Sequence, residues 1–207
     1  MIGKPTRRYD ASLRAERALG TRERILDTAK ELFTARGVEK VTISEIASVA
    51  GVSAPTLYAL FQSKVGMLKA VVERSFFNPR YFEIAQRAEK VRDPEEILRI
   101  TASISRVILD TERNEIGLMR GLSVLSPELR AIEAELEAVR FTLQAARAKR
   151  LVKLVPAARR LGLGRVRDIL WMYTGRDVYR MLVLERGWSS DEYESWLAET
   201  LIRTLTA

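Results

Sequence analysis

Hydrophobic positions in this 207-residue chain recur with the helical period of about 3.6 residues in almost every segment. Between residues 21 and 36 one face of a predicted helix is apolar, and Gly37 follows as a C-cap. That face is formed by Ile25, Ala29, Leu32 and Phe33. The sequence shows no convincing strand, repeat or low-complexity tract. The pattern therefore predicts an all-α protein.

Two short helices are predicted on either side of Gly51. Thr42 and Glu45 have the spacing of a capping box at the start of the first helix. Ser53 is well placed to cap the second helix, and Pro55 falls in its first turn, where a missing N–H costs nothing. Two such helices after a longer one indicate a helix-turn-helix. Its small core is expected from Ile43, Ile46, Ala47, Val52, Leu57 and Phe61.

The rest of the chain shows further amphipathic helices separated by caps and glycines. Asp93 with Pro94 and Ser189 with Glu192 mark two helix starts. The pattern predicts three parts. These are a flexible basic arm over residues 1–20, the helix-turn-helix domain over 21–78, and a helical C-terminal domain over 79–207.

Positive charge is concentrated near the N-terminus. The net formal charge is +8, and the first 80 residues hold 14 Lys and Arg against 8 Asp and Glu, whereas the remaining residues hold 21 against 19. A phosphate backbone attracts such a local excess. Charge alone fits a solvated surface equally well, so its meaning depends on the motif that it surrounds.

Cysteine and histidine are both absent. Disulfides, thiolate metal sites and most triad or general-base mechanisms are therefore excluded, so we expect no catalysis, no metal and no cofactor. The polar N-terminus does not read as a signal peptide, and no run of 18 apolar residues is present. We expect a cytoplasmic protein, associated with the nucleoid.

The order and spacing of the motif residues carry more information than any one of them. Residues 42–47 (TISEIA), 50–58 (AGVSAPTLY) and 61–64 (FQSK), followed by Leu68, resemble the DNA-binding segment of the tetracycline repressor (TetR) family. The resemblance covers residues 21–73. Leu60 and the pair Val65-Gly66 depart from the residues that are usual in the family.

This resemblance implies a transcriptional regulator, most simply a repressor, that binds double-stranded DNA as a homodimer. It implies phosphate contacts from Thr42, Tyr58 and Lys64. It places Ser53, Ala54, Pro55 and Thr56 over base edges in the major groove. Two recognition helices about 34–36 Å apart require a palindromic operator. Taken singly, these residues are explained equally well as helix caps, a half-buried aromatic and a solvated lysine.

Arg7 and Arg8 in the arm could enter a minor groove. The alternative is a frayed basic tail.

Dimer contacts are expected from the C-terminal helices. The predicted helix over residues 166–185 has two apolar stripes, and a glycine in its middle suggests a close helix crossing. The candidate interface residues are Trp171, Gly175, Val178, Leu182, Trp196, Leu197 and Leu201. In the alternative interpretation both stripes belong to the core of a single chain.

A small-molecule effector is expected to bind between the helices of the C-terminal domain. The candidate pocket residues are Arg106, Asp110, Met119, Arg120 and Tyr173. Surface charge and core packing explain each of them equally well.

The rival function is an all-α carrier or enzyme with an incidental basic N-terminus. For an enzyme, Glu133 and Glu137 share a helix face, although the charged residues around them indicate solvated surface.

Overall fold

The computed structural model describes residues 7–113 and 127–207, with side chains described over 16–113 and 130–207. Every regular element in these ranges is helical, which confirms the predicted all-α class. The chain forms two compact units, Met1–Arg74 and Ser75–Ala207. The division between them lies near the domain boundary expected at residue 78.

The first unit contains four α-helices and one short turn of 3₁₀ helix. They are α1 (Arg7–Arg36), the 3₁₀ turn (Val38–Lys40), α2 (Ile43–Ala50), α3 (Ala54–Phe61) and α4 (Lys64–Phe76). Helix α1 begins at Arg7, so the expectation of a flexible arm before Thr21 is wrong from Arg7 onward. Residues 7–20 are rich in good helix formers, but the apolar stripe that marks a buried face starts only at Ile25.

The core of the first unit is formed by side chains from all four helices. Its fully buried members include Ile25, Leu26, Ile46, Leu57 and Met67. The predicted helix-turn-helix core is confirmed except at Val52, which is only half-buried. Arg74 joins α4 to α1 by ion pairs with Glu23 at 2.9 Å and Asp27 at 2.8 Å.

Helices α2 and α3 meet at 110°, within the range of about 90–120° for a helix-turn-helix. Among the described residues, no single helix combines the length and apolarity needed to cross a membrane, and α2 with α3 passes that test only as a bent pair.

Unusual backbone geometry limits α3 at both ends. Gly51, in the turn before it, adopts the left-handed conformation with φ 67°. Beyond its end, Gln62 has φ 65°, and the Ser63 N–H donates to the Phe61 carbonyl at 2.7 Å, which closes a tight γ-turn. A Cβ atom on Gly66 would lie 2.1 Å from that same carbonyl oxygen. The departure from the family pattern at Gly66 therefore has a steric reason.

We expect Gly66→Ala to lower the free energy of unfolding by about 2 kcal/mol or more, because the Phe61 carbonyl is backbone and cannot move aside without distorting the γ-turn. Thermal unfolding followed by circular dichroism measures this. Gly20→Ala is the matched control, since Gly20 lies in α1 with open space around its Cβ position. That change should stabilise the helix by up to about 1 kcal/mol. Equal midpoints for the two variants would contradict the steric role of Gly66.

The second unit is also helical throughout its described residues. Its elements are α5 (Pro79–Lys90), α6 (Pro94–Thr111), α7 (Pro127–Leu154), α8 (Pro156–Leu161), α9 (Leu163–Tyr173), α10 (Arg176–Tyr179), a π-helical segment (Arg180–Glu185) and α11 (Ser190–Thr206). Asp93 caps α6, and Ser189 with Glu192 forms the capping box that was predicted for α11.

The single helix predicted over residues 166–185 is wrong, because α9 ends at Tyr173 and the chain restarts at Arg176. Thr174 donates to the Leu170 carbonyl at 2.7 Å, and Gly175 adopts an extended conformation. A Cβ on Gly175 would lie 3.0 Å from the Met172 carbonyl oxygen. The close approach of the Met172 carbonyl to Gly175 therefore explains why a glycine stands in this break. The predicted close crossing of two helices is not needed to account for it.

Tyr193 lies at the centre of the second core and is fully buried. Its ring packs edge-to-face against Tyr179, with 5.0 Å between ring centroids, and its hydroxyl lies 3.4 Å from that of Ser105. Leu197 and Leu201 on the same helix are fully buried too. These two predicted interface residues belong to the core of the chain itself and cannot lie on an outer face.

Burial raises the pKa of Tyr193 to about 12, above its ordinary value of 10.0. The unfolded chain therefore loses this proton near pH 10 while the folded chain keeps it, so stability should fall as pH rises from about 10 to 12. This one group contributes up to about 3 kcal/mol of that loss. We expect Tyr193→Phe, which keeps the ring packing, to flatten that part of the stability profile. Urea unfolding at each pH measures this, and unchanged pH dependence in the variant would contradict the assignment.

Candidate functional sites

The first candidate site is the exposed beginning of α3. The Ser53 hydroxyl accepts the Thr56 N–H at 3.3 Å and lies 2.8 Å from the Thr56 hydroxyl. Ser53 and Pro55 are exposed, while Ala54 and Thr56 are partly exposed. Short side chains therefore surround a helix N-terminus, whose N–H groups and positive dipole end favour an anion.

The three residues with predicted phosphate contacts lie around this helix in the same unit. Thr42 is exposed and caps α2 by accepting the Glu45 N–H at 3.2 Å. Tyr58 on α3 is 53% exposed, which leaves its hydroxyl free of the core. The Lys64 ammonium donates to the Glu39 carbonyl at 3.3 Å, which holds it close to the chain that enters α2. An ammonium has three donors, so this bond leaves capacity for a phosphate.

The reciprocal half of the capping box predicted for α2 is wrong. The Glu45 carboxylate forms an ion pair with Arg36 at the end of α1. This contact spans nine residues and depends on how α1 and α2 pack, which the local spacing of Thr42 and Glu45 does not reveal.

Two arginines that the sequence analysis did not select also support the helix-turn-helix. Arg24 donates to the Ala50 carbonyl at 3.2 Å and so satisfies the C-terminal end of α2 beside the Gly51 turn. Arg22 lies over the Phe61 ring, 5.6 Å from its centroid. Their partners lie 26 and 39 positions away in the sequence, so no motif would have found them. The side chains of Arg7 and Arg8 lie outside the described residues.

The second candidate site is a mainly apolar cavity within the second unit. Its apolar lining includes Phe76, Phe77, Ile104, Ile108, Leu136 and Leu143. Its polar lining consists of Thr101, Ser105, Glu112, Glu137, Arg140, Gln144, Arg147, Thr174 and Arg176. An apolar cavity with a few polar groups is typical of a small-molecule site.

The predicted pocket residues Arg106, Asp110 and Tyr173 do not line this cavity. Arg106 lies in an ion-pair network between α6 and α11, with its guanidinium 2.8 Å from Glu194 and 3.3 Å from Asp110. The Arg106 guanidinium donates a hydrogen bond to the Glu194 carboxylate, which raises the pKa of Arg106. Burial acts in the opposite direction but has the smaller effect. Tyr179 also donates to Asp110, at 2.5 Å. Asp191 also pairs with Arg106, at 2.5 Å, so three carboxylates surround this one guanidinium.

Tyr173 instead packs edge-to-face against Trp196, with ring centroids 6.2 Å apart. Met119 and Arg120 lie outside the described residues.

The carboxylates considered for an enzyme are held by arginines. Glu133 accepts from Arg176 at 2.8 Å, and Glu137 accepts from Arg140 at 2.5 Å. Burial alone would raise the pKa of Glu137, but hydrogen bonds from Arg140 and Trp171 lower it below its ordinary value. Both carboxylates therefore act as charge partners, and both side chains stay partly exposed, 40% for Glu133 and 36% for Glu137. No group of His, Cys, Asp or Glu side chains that could hold a metal is found within the described residues.

Of the remaining predicted dimer residues, Val178, Leu182 and Trp196 line a groove in the second unit, whereas Trp171 and Gly175 do not. The groove is lined by Tyr173, Val178, Met181, Leu182, Glu185, Arg186 and Trp196. Met181, which the sequence analysis did not select, is 44% exposed. Trp171 lies apart from this groove, because its ring is covered by the Arg140 guanidinium at 5.1 Å and its indole N–H donates to Glu137.

Comparison with known proteins shows what the chain is similar to. Residues 25–71 match the family model described as bacterial regulatory proteins, tetR family. The chain is 34% identical to the transcriptional regulator AcrR of Shigella flexneri over 84 residues, 41% of this chain and 39% of that protein. It is 28% identical to the transcriptional repressor BepR of Brucella suis over 190 residues, 92% of this chain and 77% of BepR.

The fold extends this likeness over almost the whole chain. The regulator FadR of Bacillus subtilis, solved in complex with stearoyl-CoA, superposes with a TM-score of 0.66 at 16% identity, covering 88% of this chain and 98% of FadR. At that identity the likeness concerns the fold alone. The chain is therefore similar to the TetR family of bacterial regulatory proteins over its helix-turn-helix segment, and it shares the helical fold of solved TetR-family regulators over most of its length.

Proposed function

We propose that this protein is a cytoplasmic repressor that binds a palindromic DNA operator as a homodimer and leaves it when a small molecule occupies the cavity of the second unit. The observation that carries this proposal is the exposed, small-residue N-terminus of α3 next to Tyr58 and Lys64. The name of BepR as a repressor supports repression rather than activation.

The surface of α3 fits a role in reading DNA. An α-helix enters the major groove with its N-terminal residues closest to the bases, so bulky side chains there would hold it away. Ser53 and Thr56 carry hydroxyls that can bond either to a base edge or to a phosphate, and Ala54 can contact a thymine methyl group. Thr42, Tyr58 and Lys64 would then fix the position of the unit on the phosphate backbone.

Selection of bound sequences from a random DNA pool tests the proposal directly. We expect a recovered palindrome whose half-sites lie about one helical turn apart, and an affinity that falls steeply with salt. Lys64→Gln should weaken binding to all sequences and reduce the salt slope by about one. Lys153→Gln, an exposed lysine of the second unit, serves as the control.

Equal binding to every duplex in the pool, or a salt slope that Lys64→Gln leaves unchanged, would contradict the DNA role. An all-α carrier would give both results.

A second copy of the chain is the proposed occupant of the groove around Met181. Half-buried Val178, Leu182 and Trp196 lie beside this exposed methionine, and a palindromic operator requires two recognition helices. Apolar side chains in such a groove gain stability when a partner covers them.

We expect Met181→Glu to raise the dimer dissociation constant by about tenfold or more, because the introduced carboxylate would be buried without a partner. Light scattering after size-exclusion chromatography measures the oligomeric state. Phe82→Glu is the control, because Phe82 is 52% exposed on α5, outside the groove. Loss of dimer in both variants, or in neither, would exclude the groove as the specific interface.

Release by an effector requires that the ligand bind one conformation of the second unit more tightly than the other. A coupling of about 1–3 kcal/mol is typical between such sites. FadR of Bacillus subtilis, solved with stearoyl-CoA, supports the proposal that this fold holds a small molecule. A ligand that lowers operator affinity must in turn bind less tightly when operator is present, and a titration with and without DNA measures this.

A further inference from the structure

Three arginines line the cavity of the second unit, and two of them have carboxylate partners. Arg140 pairs with Glu137 at 2.5 Å. Arg176 pairs with Glu112 and with Glu133, each at 2.8 Å. The positive charges of Arg140 and Arg176 are therefore both matched by carboxylates within the unit, and the second glutamate beside Arg176 leaves one negative charge in excess.

Arg147 differs from the other two. Among the described residues its hydrogen-bond acceptor is the side-chain carbonyl of Gln144, at 3.3 Å, and no carboxylate forms an ion pair with it. The Gln144 amide nitrogen donates to the Thr174 hydroxyl at 2.8 Å, which keeps the amide oxygen turned toward Arg147. A neutral oxygen on a fixed side chain is thus its partner in the protein.

The surroundings of Arg147 favour an anion. Burial lowers the pKa of the Arg147 guanidinium, and the nearby Arg150 lowers it further, whereas the Tyr81 hydroxyl acts in the opposite direction. Arg150 is itself engaged with the carbonyls of Ala88 and Val91. Arg147 and Arg150 therefore make their immediate surroundings positive, and Arg147 is partly buried without a counter-charge from any described residue.

The guanidinium of Arg147 still has donors available. It carries five N–H groups, and one hydrogen bond to Gln144 occupies only one of them. Within the described residues, every fully buried side-chain nitrogen or oxygen has a hydrogen-bond partner. The Arg147 N–H groups that have no partner are therefore not fully buried, and solvent or a ligand can reach them. Because Arg147 lines the cavity, a ligand there can reach them.

We infer that the cavity binds an amphipathic carboxylic acid whose carboxylate pairs with Arg147 and whose apolar body lies against Phe76, Ile104 and Leu143. This inference rests on the proposed function, in which the cavity is the effector site. A planar guanidinium matches a carboxylate with two parallel hydrogen bonds, and the apolar walls match a hydrocarbon or aromatic body. A cationic ligand would instead meet an uncompensated positive charge.

Calorimetric titration of the full chain tests the inference with matched probes. Benzoate, octanoate and decanoate are compared with benzyl alcohol, 1-octanol and 1-decanol, and octyltrimethylammonium is the cationic probe. We expect at least one acid to bind about tenfold or more tightly than its alcohol, because a hydrogen bond to a charged group is stronger than a neutral one. The ammonium probe should bind most weakly.

Arg147→Met should abolish the preference for the acid while alcohol binding persists, which also shows that the cavity is intact. Lys149→Met changes an exposed lysine on the same helix and should keep the preference. Failure of every acid to bind, an equal affinity for acid and alcohol, or a preference that survives in Arg147→Met would each overturn the inference.

The DNA experiments distinguish this failure from failure of the proposed function. The protein could bind acids through Arg147 and yet select no operator from the DNA pool. That result would support the carboxylate site and contradict the repressor role. Specific operator binding without any acid preference would do the reverse.

Discussion

The proposed recognition surface depends on the backbone geometry that limits α3 at both ends. Gly51 turns the chain in a left-handed conformation before the helix, and the γ-turn at Gln62 turns it again afterwards. Gly66 then passes so close to the Phe61 carbonyl that any side chain would collide with it. These constraints keep α3 only eight residues long and leave its N-terminus exposed. A longer helix, or one with a bulky first turn, would present a different surface.

Side chains strengthen the same unit without occupying its recognition surface. Arg24 satisfies the end of α2, Arg74 joins α4 to α1, and Leu57 anchors α3 in the core. Consequently the residues at the tip of α3 need only short polar groups. Ser53 and Thr56 meet the local need for a cap and still present hydroxyls to the outside. Capping and DNA contact are compatible because both use a helix N-terminus.

In the second unit, most charged side chains around the cavity are paired with one another. Around its cavity the arginines and glutamates are joined into pairs, and Thr174 accepts hydrogen bonds from both Arg140 and Gln144 at the break after α9. The helix break thereby contributes polar groups to an otherwise apolar wall. Among the described residues, Arg147 forms no ion pair, so the cavity wall carries one arginine without a carboxylate partner.

The sequence was sufficient for the helix-turn-helix because its signals are local. Caps at Thr42, Ser53 and Ser189, and the turn at Gly51, act within a few residues, and the apolar stripe of each helix follows its own period. The start of α1 was missed because helix propensity, without an apolar stripe in the sequence, leaves no periodic signal. The break at Thr174 was missed because, in the sequence, Gly175 looks like a glycine inside a continuous helix.

The sequence by itself determined the all-α class, the likeness of the helix-turn-helix to the TetR family and the caps of α2 and α3, since these depend on short-range spacing. The tertiary structure alone decided which glutamate pairs with which arginine, which of the C-terminal leucines are buried, and that Arg147 faces the cavity without a carboxylate. Such choices depend on contacts between residues far apart in the chain, and the period of a helix shows which face is apolar but not which neighbour covers it.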